Sequence, residues 1–109
     1  MKTLAMFLLF TTPSFANDHG MFMEYGLGQT TCKELTSKQF TNELGDLMIS
    51  AYIGGFLTAA NVIATGRFDV VNGKGVTVIM ESFKEWCKKN PTKHGSEAMI
   101  GVVSDILEQ

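Results

Sequence analysis

Two cysteines, two histidines and a few spaced acids are the groups through which this 109-residue chain could do chemistry. In an oxidising compartment, an even cysteine count in a small protein argues for a disulfide. Cys32 and Cys87 allow one intramolecular pairing, which would close a loop of about 55 residues worth about 4 kcal/mol in the chain-entropy model. Two free buried thiols, or a bridge between two chains, are the alternatives. His19 is the third residue of Asn17-Asp18-His19. If the chain began at Asn17, its α-amine, two backbone amides and the imidazole could wrap a square-planar Cu(II) or Ni(II) ion. A solvated tail histidine is the plainer reading. His94 falls in Pro91-Thr92-Lys93-His94-Gly95 and reads as an exposed loop residue. No finger-like spacing joins the histidines to the cysteines.

The remaining candidates are weaker. Glu81 and Glu85 are four apart, hence on one helix face, but Lys84 and Lys88 interleave them. That is the pattern of a solvated face rather than a catalytic carboxylate pair. Gly73-Lys74-Gly75 lacks the spacing of a phosphate loop. No Gly-x-Ser-x-Gly elbow occurs. The expectation is a non-enzymatic protein, without a cofactor, that works by binding something with a surface. Tyr52, Phe56, Leu57, Phe83 and Trp86 are the side chains such a surface would use; the alternative is that they are core. The net charge is −2 and no basic run or basic-aromatic stripe exists, which argues against nucleic acid as a partner.

The elements that must position these residues begin after a removable segment. Met1-Lys2-Thr3 is a short basic start, Leu4 to Phe10 an apolar run, and Pro13-Ser14-Phe15-Ala16 a helix break with a small-x-small cleavage site. This reads as a secretory signal peptide over residues 1–16, cut after Ala16, and places the mature chain in the periplasm. Residues 17–30 read as a flexible Gly- and Met-rich lead-in, and residues 31–109 as the helical domain.

Within that domain Thr36 and Gln39 fit a capping box. A long helix is expected from Thr41 or Asn42 to about Thr65, closed by Gly66. It holds the longest apolar run of the chain, with no charge from Leu47 to Thr65. Its small residues fall four apart: Ala51, Gly55 and Ala59 on one line, Ser50, Gly54 and Thr58 on the next. A helix apolar nearly all round is a buried central helix or a membrane span. Asn61, Gly54-Gly55 and several hydroxyls speak against a span, as does the separation of Cys32 from Cys87 across a bilayer that it would impose. The soluble reading uses the glycines for close approach of neighbouring helices.

Phe68 to Ile79 is ambiguous. Asn72-Gly73 between β-branched runs signals a hairpin, while Val76, Ile79, Met80, Phe83, Trp86 and Cys87 follow a helical stripe. The favoured reading is a loop to Gly75 and a helix from about Thr77 to Lys89, stopped by Asn90-Pro91. Ser96 would cap a last helix whose inner face is Met99, Ile100, Val103, Ile106 and Leu107. The fold expected is all-α: a small bundle of three to four helices around one central apolar helix, stapled by one disulfide.

Thr31-Cys32-Lys33-Glu34-Leu35 and Glu85-Trp86-Cys87-Lys88-Lys89-Asn90-Pro91-Thr92-Lys93 resemble the two cysteine neighbourhoods of the HdeA/HdeB acid-stress chaperones of the bacterial periplasm. That resemblance implies a small helical protein with one disulfide between these places, acting as an acid-activated holdase for unfolded clients. Protonation of Glu34, Glu43, Asp46, Glu81, Glu85 and Asp105 would then turn a mildly acidic chain cationic, and self-repulsion would loosen its packing or a homodimer. Tyr52-Ile53-Gly54-Gly55, Gly75-Val76-Thr77 and Trp86 to Pro91 also resemble the periplasmic Tai-type immunity proteins of type VI secretion. That second resemblance implies tight binding of one secreted toxin at neutral pH. A secreted helical module with some other protein partner is the third reading.

One measurement addresses address and thiols together. The intact mass of the exported protein should lack residues 1–16, and alkylation should label two thiols only after reduction. Label taken up without reductant would refute the bridge.

Overall fold

The computed structural model describes residues 22–64 and 66–108. The expected signal peptide, the cleavage site expected after Ala16 and the Asn17-Asp18-His19 triplet lie outside these residues. The described chain is all-α. A single 3-10 turn, Gly26–Gln29, precedes four helices: α1 Cys32–Leu35, α2 Glu43–Ile63, α3 Gly75–Lys89 and α4 Gly95–Leu107. Cys32 and Cys87 form the disulfide, both fully buried, with their Cα atoms 4.7 Å apart.

Each helix start has a local cause, and several differ from the sequence reading. α1 is capped by Thr31, whose hydroxyl accepts from the Glu34 N–H. Thr36 is therefore not an N-cap but closes α1 from the other end, donating its hydroxyl to the Cys32 carbonyl at 2.9 Å. Asn42 caps α2, its side-chain oxygen accepting from Gly45 N–H at 2.8 Å, and Glu43 and Asp46 suit the first-turn dipole. α2 stops at Ile63 with Ala64 as its C-cap; Gly66, at φ 81°, lies two residues beyond that cap.

The Asn72-Gly73 turn forms without strands. Asn72 and Gly73 take positive φ, but the neighbouring Val70 and Val71 are buried in the core instead of pairing as a ladder. Three side-chain bonds fix this loop: Asn61 accepts from Val70 N–H, and Asp69 accepts from Val71 and Gly73 N–H. The loop leads straight into α3, which begins at Gly75, so Thr77 is in its first turn rather than at its cap. α4 likewise starts one residue before Ser96: His94 is its N-cap, and the Glu97 carboxylate accepts from the His94 N–H.

α3 is the helix around which the others gather, packing on α1, α2 and α4. Its inner line is Ile79, Phe83 and Cys87. Met99, Val102, Val103 and Ile106 of α4 and Leu35 of α1 complete the core with the α2 stripe Ile49, Ile53, Leu57 and Ala60. Lys84 of α3 pairs with Asp46 of α2 at 2.5 Å near the start of the long helix. α2 is buried along this one stripe and not all round: only 22% of its most apolar window is inside the protein.

The glycines that are closely approached are also not the expected ones. A Cβ on Gly45 would sit 2.1 Å from the Phe40 carbonyl oxygen, and one on Gly101 would meet the Trp86 indole at 2.6 Å. A Cβ on Gly54 or Gly55 would meet nothing within 4 Å. These two environments predict opposite outcomes for one chemical change. Gly45→Ala should lose about 2 kcal/mol or more, because the obstacle is backbone. Gly54→Ala should gain up to about 1 kcal/mol from helix propensity. Urea denaturation of the oxidised protein measures both.

Candidate functional site

The richest polar cluster joins the lead-in to the start of α4. Residues 22–30 lie against α2 and α4 as a strap and line a cleft together with them. The cleft, about 290 Å3, is lined by Phe22, Glu24, Tyr52, Phe56, Ser96 and Ile100 among others. Backbone bonds bring the strap there. Gly95 N–H donates to Thr30 O at 2.9 Å, and Thr31 and His94 form an isolated antiparallel bridge. Gly95 has no room for a side chain, since a Cβ would lie 2.4 Å from Leu27 O. So the strap lies directly on the first turn of α4.

Glu24 is the pin. One carboxylate oxygen accepts from the Ser96 hydroxyl and the other is 2.7 Å from His94 Nδ1. Ser96 is buried and is the one buried polar residue of the described core. Its role is thus to receive the strap, not to cap α4. Burial alone would push the Glu24 carboxyl up. The Ser96 and His94 hydrogen bonds, with the charge of His94, outweigh burial and hold it below the ordinary 4.5. Tyr52 sits beside Gly28 with its ring on the cleft wall. Burial, and then the Glu24 charge, push its phenol up to about 12, so it stays neutral and polar at any physiological pH.

Chemically this is a latch. Ser96 and His94 both lean on the carboxylate, whereas a nucleophilic serine would lean on the histidine. Glu24, His94 and Glu97 each offer a ligand atom, all within 4.8 Å of one another, which is the one His/Cys/Asp/Glu grouping among the described residues fit to begin a divalent-cation site. Its atoms are already engaged: Glu24 on Ser96 and His94, Glu97 on the His94 backbone N–H and near Lys93 Nζ at 3.8 Å.

The five side chains expected to bind a partner do not form one patch. Tyr52 and Phe56 meet, with ring centroids 6.4 Å apart, and share the strap cleft. Leu57 and Phe83 are core residues, and Trp86 lies half-buried against Gly101 of α4. Sequence reasoning missed Glu24; its signal, a charge directly after the apolar Met21-Phe22-Met23, was there to read. It also missed Phe68, which projects from the α2–α3 loop with 98% of its surface exposed. Neither a family model, a curated protein nor a solved structure matches this chain.

The latch sets a pH dependence with a definite sign. Because the folded state holds the Glu24 carboxyl below 4.5, its contribution is complete above that value and is lost as the pH falls through the lower, folded-state value. Hydrogen exchange at Thr30 and Gly28 N–H, both bonded within the strap, should therefore quicken relative to α3 amides as the pH falls below 4.5. Glu24→Gln should show the loosened strap already at neutral pH, with little further change on acidification.

Proposed function

We propose that this chain is an exported, non-enzymatic protein-binding domain of the acid-responsive holdase kind, whose client surface lies under the strap. The observation that carries the reading is the Glu24 latch: one ionised carboxylate pins residues 22–30 over Tyr52, Phe56 and Ile100. Protonation at acid pH removes the charge that strengthens both bonds and turns one of the two oxygens into a donor. The strap then lifts and leaves aromatic surface open to unfolded chains, while the disulfide holds the helices together. The likeness of both cysteine neighbourhoods to the HdeA/HdeB chaperones supports the same reading.

A second reading, binding of one specific toxin by a preformed surface, is favoured by Phe68. It stands on a loop that Asn61 and Asp69 hold rigid, the condition in which an exposed aromatic anchors a partner at least entropic cost. Aggregation of an acid-unfolded model enzyme, followed by light scattering, tests the first reading. The oxidised protein should suppress it at about pH 3, below carboxyl pKa values, and not at pH 7. Glu24→Gln should suppress it in part at pH 7. Equal behaviour of the native protein at both pH values would refute the acid-responsive reading. A near-UV signal unchanged at about pH 3, with no suppression there, would favour the Phe68 surface.

A further inference from the structure

The pin that holds the strap is also a place where nitrogen and oxygen donors from distant parts of the chain converge. Glu24 comes from the strap, and His94 and Glu97 lie three apart at the start of α4. One donor atom of each, two carboxylate oxygens and an imidazole nitrogen, lies within 4.8 Å of the other two. The imidazole sets this group apart from an acidic patch. Ca2+ and Mg2+ take oxygen ligands, whereas a nitrogen with two carboxylates suits Zn2+. The two carboxylates balance the charge of one such ion. The ligands of a tetrahedral zinc stand about 3.4 Å apart, given bonds of about 2.1 Å. Glu24 and His94, at 2.7 Å, are closer than that, and no pair of the three donors is farther apart than 4.8 Å. Small side-chain rotations therefore set the triangle around one ion.

The surroundings supply the support that ligands need. A ligating carboxylate is oriented by a hydrogen bond to its other oxygen. The second oxygen of Glu24 accepts from the hydroxyl of Ser96, which is buried. Glu97 likewise has one oxygen tied, by the His94 N–H at 3.3 Å. Each carboxylate thus has one oxygen held by a neutral donor and a second that remains for an ion. The site is also open to solvent on one side. The side chains of His94 and Glu97 are 39% and 37% exposed, against 17% for Glu24. An ion can enter there, and a water can serve as fourth ligand. Two features oppose a cation. The start of α4 is the positive end of its dipole, and Lys93 Nζ lies 3.8 Å from Glu97. The dipole amounts to about half a charge against two carboxylates. Lys93 is itself exposed and can turn to water.

We propose that Glu24, His94 and Glu97 form a Zn2+ site that locks the strap onto α4. The ion takes the place of the hydrogen between Glu24 and His94 Nδ1, with the imidazole proton carried on Nε2 instead. Glu97 has no bond to the strap, since its tied oxygen goes to the His94 N–H of its own helix start. It is therefore the residue that separates the zinc site from the latch. Asn17-Asp18-His19 offers a rival address for a metal, but its amide nitrogens suit square-planar Cu(II) or Ni(II) rather than zinc. The site concerns what holds the strap, not what the strap covers, so it stands or falls apart from client binding.

Isothermal titration of the oxidised protein with zinc chloride at pH 7 should show one ion bound per chain. Glu97→Gln should weaken that binding at least about tenfold, while hydrogen exchange at Gly28 and Thr30 N–H in the metal-free protein stays as in the native chain. Glu24→Gln should weaken it as much and quicken the same exchange. His19→Ala should bind zinc as the native chain does. Zinc added to the native protein should slow exchange at Gly28 and Thr30 at least about tenfold with little effect on α3 amides, and Ca2+ at the same concentration should not. No binding at zinc concentrations up to about 1 mM overturns the proposal. So does an affinity indifferent to Glu97→Gln, an affinity lost with His19→Ala, or bound zinc that leaves exchange in the strap unchanged.

Discussion

The covalent tie between Cys32 and Cys87 is the constraint from which the other contacts follow. It does not act alone. Cys32 N–H donates to Lys93 O at 2.7 Å and Lys33 N–H to Pro91 O at 3.0 Å, so the residues around the bridge form a short backbone clamp between α1 and the α3–α4 turn. α1 has only four residues and could not hold helical shape by itself. Bonded to the end of α3 it becomes a lid on the core, with Leu35 fully buried. The same clamp fixes Thr30 beside Gly95 and so decides where the strap must run. A domain this small buries a modest share of its surface, and cross-linking the unfolded chain over about 55 residues removes entropy that its core alone would offset with little margin.

With the clamp set, α3 and α2 divide the work of a bundle in an uneven way. α3 is less apolar than α2 but turns one full stripe, Ile79, Phe83 and Cys87, into the core, with Lys88 and Lys89 exposed. α2 is apolar on both sides and spends only one side on the core. Composition therefore ranked α2 as the centre of the fold, while packing gives that place to α3. Hydrophobicity says how much surface a helix would gain by burying. It does not say whether the burial occurs within the chain or against something else.

The parts of the fold that were legible in the sequence are those set by long-period patterns. The helical stripe ending in Cys87, the break at Asn90-Pro91 and the uncharged run ending near Thr65 each rest on many residues, so one competing preference cannot undo them. The caps rest on single residues and were misplaced by a few positions. Thr36 and Ser96 have cap chemistry, yet Thr31 and His94 lie nearer the clamp, where Cys32 N–H and Gly95 N–H already have partners that fix the helix start. Asn72-Gly73 signalled the correct local turn and the wrong surroundings, because the burial of Val70 and Val71 outweighed pairing. The glycines show the same limit. Whether Gly45 or Gly55 is crowded depends on what the rest of the chain brings near it, which spacing alone does not contain.

The clamp and the latch together bound what acid can open. Glu24 pins the strap from one side and the disulfide anchors the chain at Cys32 from the other, eight residues on. When the carboxylate is protonated, the freed segment extends back from Thr30, where the Gly95 N–H still holds it. Nothing in that release breaks a contact of Ile79, Phe83 or Met99, which keep their burial from α3, α4 and the bridge. The opening is therefore local, of the kind a low-stability segment makes while the core stays folded. Wider opening would draw on other acids: Glu34, Glu43, Glu81, Glu85 and Asp105 lie on exposed faces where solvent screens them, while Asp46, Asp69 and Glu97 are half-buried and bonded to Lys84, to loop N–H groups and to the His94 N–H. Glu24 links acid to this segment because its carboxylate is held by Ser96 and His94 and is placed where the loss of its charge frees residues 22–30.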